Sequence, residues 1–420
     1  MPPPPLNILI CGGGIAGPAA AFWLSRLGHK CTIIERHPTL RADGQQIDLR
    51  EQGVTVARKM GLLPEIKSRT VDELGTSFVD SRGRSLAFFG RSGNEEQQSF
   101  TSEFEIMRGD LCKILRDAAE ERVQWRFGLT VDDYRHVDDG TRVNVRFSDG
   151  TEAEYDLLIG ADGQGSRVRR RMVTEDKYRP LGVFCCYFNT HRRQDDENIF
   201  SFYVAGRRRT VATRWHSPKH GQGYLMTMSH PEEFRSVLRQ QDTAAQRALF
   251  SRVFAGAGWQ ADRLITEMNQ AEDVYAFEAL QVTARQWSRG RVVLLGDAAH
   301  APSFFTGMGT SLALVGAYVL AGELAAHGDD VEAGLDAYHR RLRAFVEDSQ
   351  KLGPGLPGIA FPETWWGVRI MQFIVTIMGL IRIDYLLGLL FQSLSSKSNK
   401  WQVPEYPELY AEKEEEASLS

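Results

Sequence analysis

The hydrophobic pattern at the start of the chain predicts a strand, a tight turn, a helix and a second strand in direct succession. Apolar positions fill residues 6–11, and a mostly apolar segment, residues 15–27, has the length of a helix that ends at Gly28. A second apolar run, residues 30–34, leads to Glu35. This order is typical of a parallel sheet covered by helices, and it predicts an α/β domain.

The turn between the first strand and the helix carries three glycines with G-x-G-x-x-G spacing. Gly12 makes the tight turn, Gly14 lets a pyrophosphate approach the backbone, and Gly17 lets the helix pack closely on the strand. The helix N-terminus would direct N–H groups at the phosphates. Glu35 stands at the strand end where a ribose would sit, so this context predicts a dinucleotide site. The same spacing at residues 353–358 follows no strand and contains two prolines, which is typical of a linker.

The same pattern returns late in the chain. An apolar strand at residues 291–296 leads to Asp297, and a glycine turn, residues 307–310, opens a long apolar helix that ends near Gly328. Two helix N-termini of this kind can serve two parts of one extended cofactor. Asp297 would meet a ribityl or ribose hydroxyl, and the turn would present N–H groups to a group that becomes negative during the reaction.

Between these two units the pattern changes. Helices are predicted at residues 51–60 and, opened by residues 105–110 with Arg108 just ahead of it, through Leu115. Residues 74–100 are strand-like and polar with glycine turns, whereas residues 176–284 contain strands rich in aromatic residues and few long helices. These two stretches predict a mostly antiparallel sheet that would wall a flat apolar pocket. The same aromatic alternation is also typical of an ordinary sheet core.

Several polar side chains in these segments are candidates for ligand contact, and a purely structural role stays open for each. Those of the predicted sheet are Tyr203, Arg214, His216 and Tyr224. A group of arginines could meet the phosphates of a second, transient nucleotide or form a solvated helix face. Its members are Arg167, Arg169, Arg170 and Arg171.

Composition and charge narrow the function classes. A chain of 420 residues is expected to form at least two domains. The net charge of −4 gives no basic excess for a nucleic-acid partner. The five cysteines form no C-x-x-C pair, no metal site is predicted, and Cys11 and Cys31 lie in predicted buried strands, which favours a reducing compartment. The first five residues lack the features of a signal peptide, so a cytoplasmic location is expected.

Three motifs in this order and spacing resemble the signatures of group A flavoprotein monooxygenases, the single-component aromatic hydroxylases of the p-hydroxybenzoate hydroxylase fold. They are the glycines of residues 12–17 with Glu35, Asp162-Gly163, and Gly296-Asp297. The resemblance covers roughly residues 6–345. The run from Gly296 to Leu314, together with residues 44–50, is most similar to the tetracycline-modifying and natural-product tailoring branch.

The resemblance implies FAD bound without a covalent link and reduced by NADPH or NADH. It implies that the reduced flavin forms a C4a-hydroperoxide with O₂, which hydroxylates or epoxidises an aromatic or polycyclic small molecule, a secondary metabolite in the tailoring branch. A flavin oxidase or reductase of the same fold that only transfers hydride is the alternative, and a nucleotide-binding scaffold with a decayed flavin site is a third hypothesis. A flavin halogenase would carry a tryptophan-x-tryptophan-x-isoleucine-proline stretch, which this chain lacks.

By the same resemblance, we expect the cofactor contacts to be made by Gly12, Gly14, Ile15, Ala16, Gly17, Glu35, Arg36, Gln46, Asp48, Arg108, Asp162, Asp297, Gly307, Gly309 and Thr310. The substrate pocket is expected to include Pro302, Phe304 and Phe305. The family usually has a proline where this chain has Phe304, so the pocket should differ in shape near the flavin. No catalytic base is assigned, and the candidates for a catalytic role are Arg214, Tyr203 and Tyr224.

The fold class predicted is α/β, a Rossmann-like FAD-binding domain with an inserted, mostly antiparallel substrate-binding sheet and a C-terminal apolar helix. The expected bounds are 1–73, 101–175 and 285–352 for the first domain, 74–100 and 176–284 for the second, 353–410 for a helical segment and 411–420 for a disordered tail.

Residues 365–391 are strongly apolar and could contact a membrane peripherally. Arg369 and Arg382 leave only a dozen uninterrupted apolar positions between them, whereas a bilayer requires about 20. The helix could instead pack beside the substrate sheet. Packing against the protein is favoured, because a helix that is hydrophobic all round is usually buried. A position in a membrane surface is the alternative.

Overall fold

The computed structural model describes residues 4–40, 44–91, 104–172, 178–381 and 401–410. Three predictions fall outside these ranges in whole or in part. They concern residues 92–100 of the predicted sheet domain, residues 382–391 of the apolar segment, and the tail at residues 411–420.

Strands and helices alternate along the described chain. The strands are β1 Asn7–Cys11, β2 Lys30–Glu35, β3 Gln46–Asp48, β4 Gly75–Val79, β5 Ser85–Gly90, β6 Glu105–Met107, β7 Val123–Phe127, β8 Val131–Val137, β9 Arg142–Phe147, β10 Glu152–Tyr155, β11 Leu157–Gly160, β12 Tyr178–His191, β13 Phe200–Ala205, β14 Arg209–Trp215, β15 His220–Thr227, β16 Tyr275–Val282, β17 Ser288–Arg289 and β18 Val292–Leu294. The helices are α1 Ala16–Arg26, α2 Glu51–Met60, α3 Leu63–Ser68, α4 Arg108–Asp117, α5 Arg167–Met172, α6 Pro231–Gln240, α7 Thr243–Phe254, α8 Ala261–Gln270, α9 Asp297–His300, α10 Gly309–His327, α11 Val331–Ser349 and α12 Trp365–Leu380.

A six-stranded sheet organises the first part of the fold, with the order β17-β18-β11-β1-β2-β7. Its strands are parallel except β17, and β1 lies between β11 and β2. The carboxyl ends of parallel strands meet at one edge, so the turns after β1, β2, β11 and β18 converge there. The predicted α/β fold class is confirmed.

Helix α10 lies in the core of this part, against α1, α2 and α11. Fifteen of its nineteen residues are buried. It is the one helix of the described ranges that is long and apolar enough to cross a membrane. However, 83% of the residues in its apolar stretch are buried inside the protein. Burial on all sides is what a core helix requires, and it explains the uniformly apolar sequence.

A seven-stranded sheet forms the second part, with the order β16-β12-β15-β14-β13-β4-β5. Its neighbours are antiparallel except β13 and β4, which are parallel. One face is covered by α6, α7 and α8, whose Phe234, Phe250 and Leu264 pack against Phe184 and Phe188 of β12. The sequence analysis did not predict these three helices, because their apolar residues were attributed to strands. The other face of the sheet is left for a cavity.

Helix α12 packs one side against the edge strand β5, where Gly379 lies over Ala87. Its other side is an exposed apolar face, with Trp365, Phe373 and Leu380 exposed by 76%, 68% and 74%. The favoured packing beside the substrate sheet is therefore observed for one side of the described helix. The other side is not buried, because the sheet ends at β5 and supports only one side of the helix.

Residues 401–410 cross the back of the first part of the fold. The ring of Trp401 stacks on Phe345 with 4.6 Å between ring centroids. The ring of Tyr406 lies on Gly322, where a Cβ atom would come within 2.2 Å of it, and the Tyr406 hydroxyl donates to Glu323 Oε1 at 2.7 Å. This segment therefore ties the end of the described chain to α10.

Replacing Tyr406 with alanine is expected to lower the free energy of unfolding by about 3–5 kcal/mol, because it removes a buried ring from α10. Tyr406→Phe keeps the ring and loses only a hydrogen bond to a buried carboxylate, which is worth about 1.5–3 kcal/mol. Urea denaturation followed by circular dichroism measures both values. Equal losses in the two variants would contradict the importance of the ring contact.

Candidate cofactor and substrate site

A cavity of about 1270 Å³ opens where the two sheets meet. Its walls come from the turns after β1, β2, β11 and β18 and from the uncovered face of β13, β14 and β15. Pockets for one drug-sized ligand measure roughly 300–1,000 Å³. The cavity therefore has room for an extended cofactor and a second molecule.

The glycine turn after β1 leaves space only for backbone. A Cβ atom on Gly12 would lie 2.3 Å from Ala161 O, and one on Gly17 would lie 2.0 Å from Gly12 O. Gly14 lies beneath the guanidinium of Arg108, whose Nη2 is 3.3 Å from the position of a Cβ atom. Helix α1 starts at the cavity wall and has no side-chain cap, so its first N–H groups are available to an anion there.

Glu35 ends β2 at the cavity wall. Its Oε2 accepts from the Gly13 N–H at 2.8 Å, and its Oε1 accepts from the His37 N–H at 3.0 Å. The carboxylate is therefore held at the glycine turn, where the ribose contact was predicted. Arg36 follows it, exposed at the rim of the same cavity.

Asp162 and Asp297 lie where β11 and β18 end. Asp162 Oδ2 accepts from the Arg167 N–H at 2.7 Å, whereas its Oδ1 is buried and has no hydrogen-bond partner among the described residues. Burial raises the pKa of Asp162. Burial likewise raises the pKa of Asp297, against a hydrogen bond from Gln164. Both carboxyl groups thus offer acceptors that hydroxyl groups of a cofactor would satisfy.

The start of α10 forms the opposite end of the cofactor cleft. Gly307 has φ +64°, and a Cβ atom there would come within 2.9 Å of the Arg50 guanidinium. Gly309 and Thr310 line the cavity, and α10 has no side-chain cap. Its first N–H groups are therefore available to a group that carries negative charge.

Aromatic side chains wall the remaining space. Phe304 stacks on Phe305 with ring centroids 4.2 Å apart and meets Phe277 edge-on at 6.2 Å. Across the cavity, Phe200 and Phe202 project from β13. The predicted pocket residues Pro302, Phe304 and Phe305 all line the cavity, which suits a flat apolar ligand.

The strand alternation separates the candidates of the substrate sheet. Arg214 and Tyr224 face the cavity, and the Tyr224 hydroxyl donates to Gln222 Oε1 at 2.7 Å. Tyr203 faces the opposite side, where its hydroxyl donates to Ala257 O at 3.2 Å in the helix-covered core. The interpretation of Tyr203 as a catalytic candidate is therefore corrected. His216 follows the end of β14 and does not line the cavity described here either.

Two predicted cofactor contacts have other partners in this structure. Gln46 Nε2 donates to Glu105 Oε2 at 2.6 Å, and Asp48 Oδ2 accepts from Arg50 Nη2 at 2.7 Å. Both residues line the cavity, but their side chains belong to a buried polar network that includes Arg214. They are positioned by β3, a three-residue strand that pairs with β6.

Sequence reasoning missed the role of Arg169. Its side chain is fully buried and donates to Ala298 O at 2.7 Å and to Gln164 O at 2.5 Å. It therefore joins the turns that carry Asp162 and Asp297, although the arginine cluster had suggested phosphate binding or a solvated face. No sequence signal separates Arg169 from its neighbours, and of the cluster only Arg167 lines the cavity.

Ser303 was also missed. It lies in the cavity wall with φ +79°, a conformation that non-glycine residues rarely adopt, and its buried hydroxyl has no hydrogen-bond partner among the described residues. A strained residue with an unsatisfied hydroxyl at this point is typical of a functional site.

The same fold occurs in known proteins. Residues 6–351 match the protein family described as FAD binding domain. The FAD-dependent monooxygenase asL4 of Sarocladium schorii is 35% identical over 97% of this chain and 100% of that protein. The crystal structure of the tetracycline destructase Tet(55) superposes with a TM-score of 0.78 at 28% identity, over 97% of this chain and 100% of that one. The structure of Klebsiella pneumoniae HpxO with FAD and uric acid has a TM-score of 0.68 at 22% identity, over 91% and 96%, and shows the shared fold alone.

Gly17→Ala is expected to weaken FAD binding by roughly ten- to a hundredfold, because relieving the overlap with Gly12 O costs about 1–3 kcal/mol. Gly358→Ala is the matched control, since a Cβ atom there meets nothing within 4 Å. Fluorescence titration of the apoprotein with FAD gives both dissociation constants. Unchanged affinity in Gly17→Ala would contradict the assignment of this turn.

Proposed function

The chain belongs to the FAD-dependent monooxygenases, and we propose that it uses NADPH or NADH with O₂ to hydroxylate or epoxidise an aromatic or polycyclic small molecule, a secondary metabolite. One observation carries the proposal. The cradle that fits FAD continues, within one cavity, into a space walled by aromatic side chains. Cofactor and substrate would therefore be held side by side.

The residues of the cradle fit the parts of FAD in order. The turn at Gly12 to Gly17 would hold the pyrophosphate, Glu35 would hold the adenosine ribose, and Asp297 would hold the ribityl chain, with the start of α10 near the ring system. When bound, FAD supplies the electron exchange with a nicotinamide and with O₂. Arg167, at the cavity and within 3.0 Å of Thr130 Oγ1, is the residue of the arginine cluster placed to meet a second nucleotide.

The substrate is proposed to be planar and to carry an acidic hydroxyl. Phe304 and Phe305 on one side and Phe202 on the other leave room for a ring system, and Arg214 places a cation in the wall between them. Stacking on aromatic rings favours flat ligands, and a guanidinium favours an oxygen that is negative or becomes so. Tetracycline, which appears in the name of the related structure Tet(55), is a polycyclic compound with acidic hydroxyl groups.

Stopped-flow mixing of the anaerobically reduced protein with oxygenated buffer tests the reaction class. We expect an absorbing phase before the oxidised flavin spectrum returns, and a bound aromatic ligand, with tetracycline as the first probe, should lengthen it. Isotope-labelled O₂ should place one labelled oxygen atom in the product. A one-phase return with stoichiometric hydrogen peroxide, whatever ligand is present, would favour the hydride-transferring oxidase or reductase instead.

The exposed face of α12 supports a further part of the proposal, peripheral contact with a membrane at a cytoplasmic location. Seven large apolar side chains of this helix are exposed, and Arg369 is its only charged residue. Tryptophan and phenylalanine on such a face favour the boundary between lipid headgroups and acyl chains. The five cysteines are all free and buried, in agreement with a reducing compartment.

The double substitution Trp365→Ser with Phe373→Ser is expected to reduce binding to phosphatidylcholine vesicles by at least about a hundredfold, since each inserted side chain contributes about 1.5–3 kcal/mol. Cosedimentation with vesicles measures the change. Ile359→Ser, at a residue that is 66% exposed but outside α12, is the control and should bind as the unmodified protein does. Equal binding of all three proteins would contradict membrane contact through α12.

A further inference from the structure

A group of charged side chains is buried where β3 and β6 meet the seven-stranded sheet. Arg214 donates through Nε to Glu73 Oε2 at 2.8 Å and through Nη2 to Glu73 Oε1 at 3.1 Å. The same Nη2 contacts Glu105 Oε2. The side chains of Arg214, Glu73 and Glu105 are exposed by only 9%, 0% and 2%. One guanidinium therefore serves two buried carboxyl groups.

Glu105 has a third charged neighbour on the opposite side. Asp48 is its cross-strand partner in the pairing of β3 with β6, and the two side chains hydrogen-bond. Asp48 Oδ2 in turn accepts from Arg50 at 3.2 Å from Nε and 2.7 Å from Nη2. The network thus contains three carboxyl groups and two guanidinium groups.

The composition and contacts of this network require that one of its three carboxyl groups be protonated. With every group ionised, it would carry one negative charge in excess, which is costly in a buried place. Two carboxyl groups can hydrogen-bond to each other only if one is protonated, since ionised carboxylates only accept. Both oxygens of Glu73 accept from the guanidinium of Arg214, and Asp48 accepts from the guanidinium of Arg50. Glu105 shares its guanidinium and lies between two other carboxyl groups.

We propose that Glu105 is a neutral carboxylic acid in the resting protein, that its O–H donates a hydrogen bond to Asp48, and that this proton sets the charge presented to the cavity around Arg214. Glu105 and Arg214 both line the cavity. With the proton in place, two guanidinium groups balance two carboxylates. Without it, the wall beside the substrate space carries a net negative charge.

The other groups that face Glu105 agree with this assignment. Burial raises the pKa of Glu105, and Glu73 and Asp48 raise it further against the opposing effect of Arg214. Burial alone would raise the pKa of Asp48, but Arg50 and Arg214 hold it below its ordinary value. Burial also raises the pKa of the nearby Tyr224 phenol, so that this group stays neutral. Gln46 Nε2 donates to Glu105 Oε2 at 2.6 Å and occupies the oxygen that a neutral acid leaves as an acceptor.

The consequence for catalysis rests on the function proposed above. A neutral Glu105 lets Arg214 attract an acidic hydroxyl of the substrate, and loss of the proton would repel the same group. Glu105 is then a positioning residue that acts through Arg214. The existence of the proton does not depend on the reaction, so it is tested in the resting protein without NADPH, NADH or substrate.

The first test compares two isosteric substitutions by thermal unfolding. Glu105→Gln keeps a neutral group with an N–H donor toward Asp48, so its Tm should lie within about 2 °C of the unmodified protein. Glu73→Gln removes an ionised partner of a buried guanidinium and should lower Tm by several times that shift. An equal loss in the two variants, or a larger one in Glu105→Gln, would overturn the proposal.

The pH dependence of the same measurement has a defined sign. Since the folded protein binds this proton more tightly than the unfolded chain, stability should decline as pH rises above the ordinary value of 4.5 toward the raised pKa of Glu105. In Glu105→Gln this decline should be smaller. An unchanged decline in that variant would overturn the proposal.

Infrared spectroscopy locates the proton directly. Protein containing isotope-labelled glutamate should show the C=O stretch of a neutral glutamic acid near neutral pH, and Glu105→Gln should lack it. Glu323→Gln is the matched control, because Glu323 is a buried carboxylate with its own cation, Arg341, at 2.9 Å, and the band should persist there. Absence of the band from the unmodified protein, or its persistence in Glu105→Gln, would overturn the proposal.

Discussion

Helix α10 holds the start of the cofactor cleft in place because it is packed on nearly all sides. It contacts α1, α2 and α11 and receives Tyr406 at Gly322, so its axis has little freedom. Leaving its N-terminus without a side-chain cap costs about 1 kcal/mol. Burial of a single large apolar side chain contributes about 1.5–3 kcal/mol, and the helix buries many. Packing along the helix therefore allows free N–H groups to be kept at Gly309, where a cofactor can use them.

The two ends of the cavity treat charge differently. The cofactor end relies on backbone N–H groups, on glycines such as Gly12 and Gly17, and on carboxyl groups that accept hydroxyls. The substrate end also contains the full charge of Arg214, which is offset by the buried carboxylate of Glu73. Neutral dipoles can accept a large anionic cofactor without burying unpaired charge in its absence. Paired charges can be tuned by one proton, which suits a site whose ligand itself gains or loses one.

Local sequence signals were enough to predict most of the strands and helices that surround the proposed cofactor site. The strand β1 and the helices α1, α2 and α10 were all predicted close to their observed bounds, since each has its own periodicity. The pairing of the three-residue strands β3 and β6 was not predicted, because so short a strand shows no alternation of apolar and polar residues. Helix α4 was expected to open within residues 105–110, just after Arg108, and it begins at Arg108, directly after β6 at Glu105–Met107.

The remaining features were not predicted because they depend on contacts between residues that are far apart in the sequence. Arg214 and its partner Glu73 are 141 residues apart, so no local pattern joins them. Alternation along β13 shows that Phe202 and Tyr203 face opposite sides but does not say which side is the cavity. One face packs against α6 to α8 and the other lines the cavity, and both therefore select apolar residues. Only the packing of the helices decides which face remains open.

Helix α12 links the outer surface of the protein to this cavity. Met371 contributes to the cavity wall, while Phe373, two residues further on, is 68% exposed. The thickness of one helix therefore separates an apolar outer face from the aromatic substrate space. If α12 lies in a membrane surface, as proposed, a lipophilic substrate would pass from lipid to the cavity along apolar side chains. Desolvation of such a substrate would then be complete before it meets Arg214, where the interaction of charges is strongest in the absence of water.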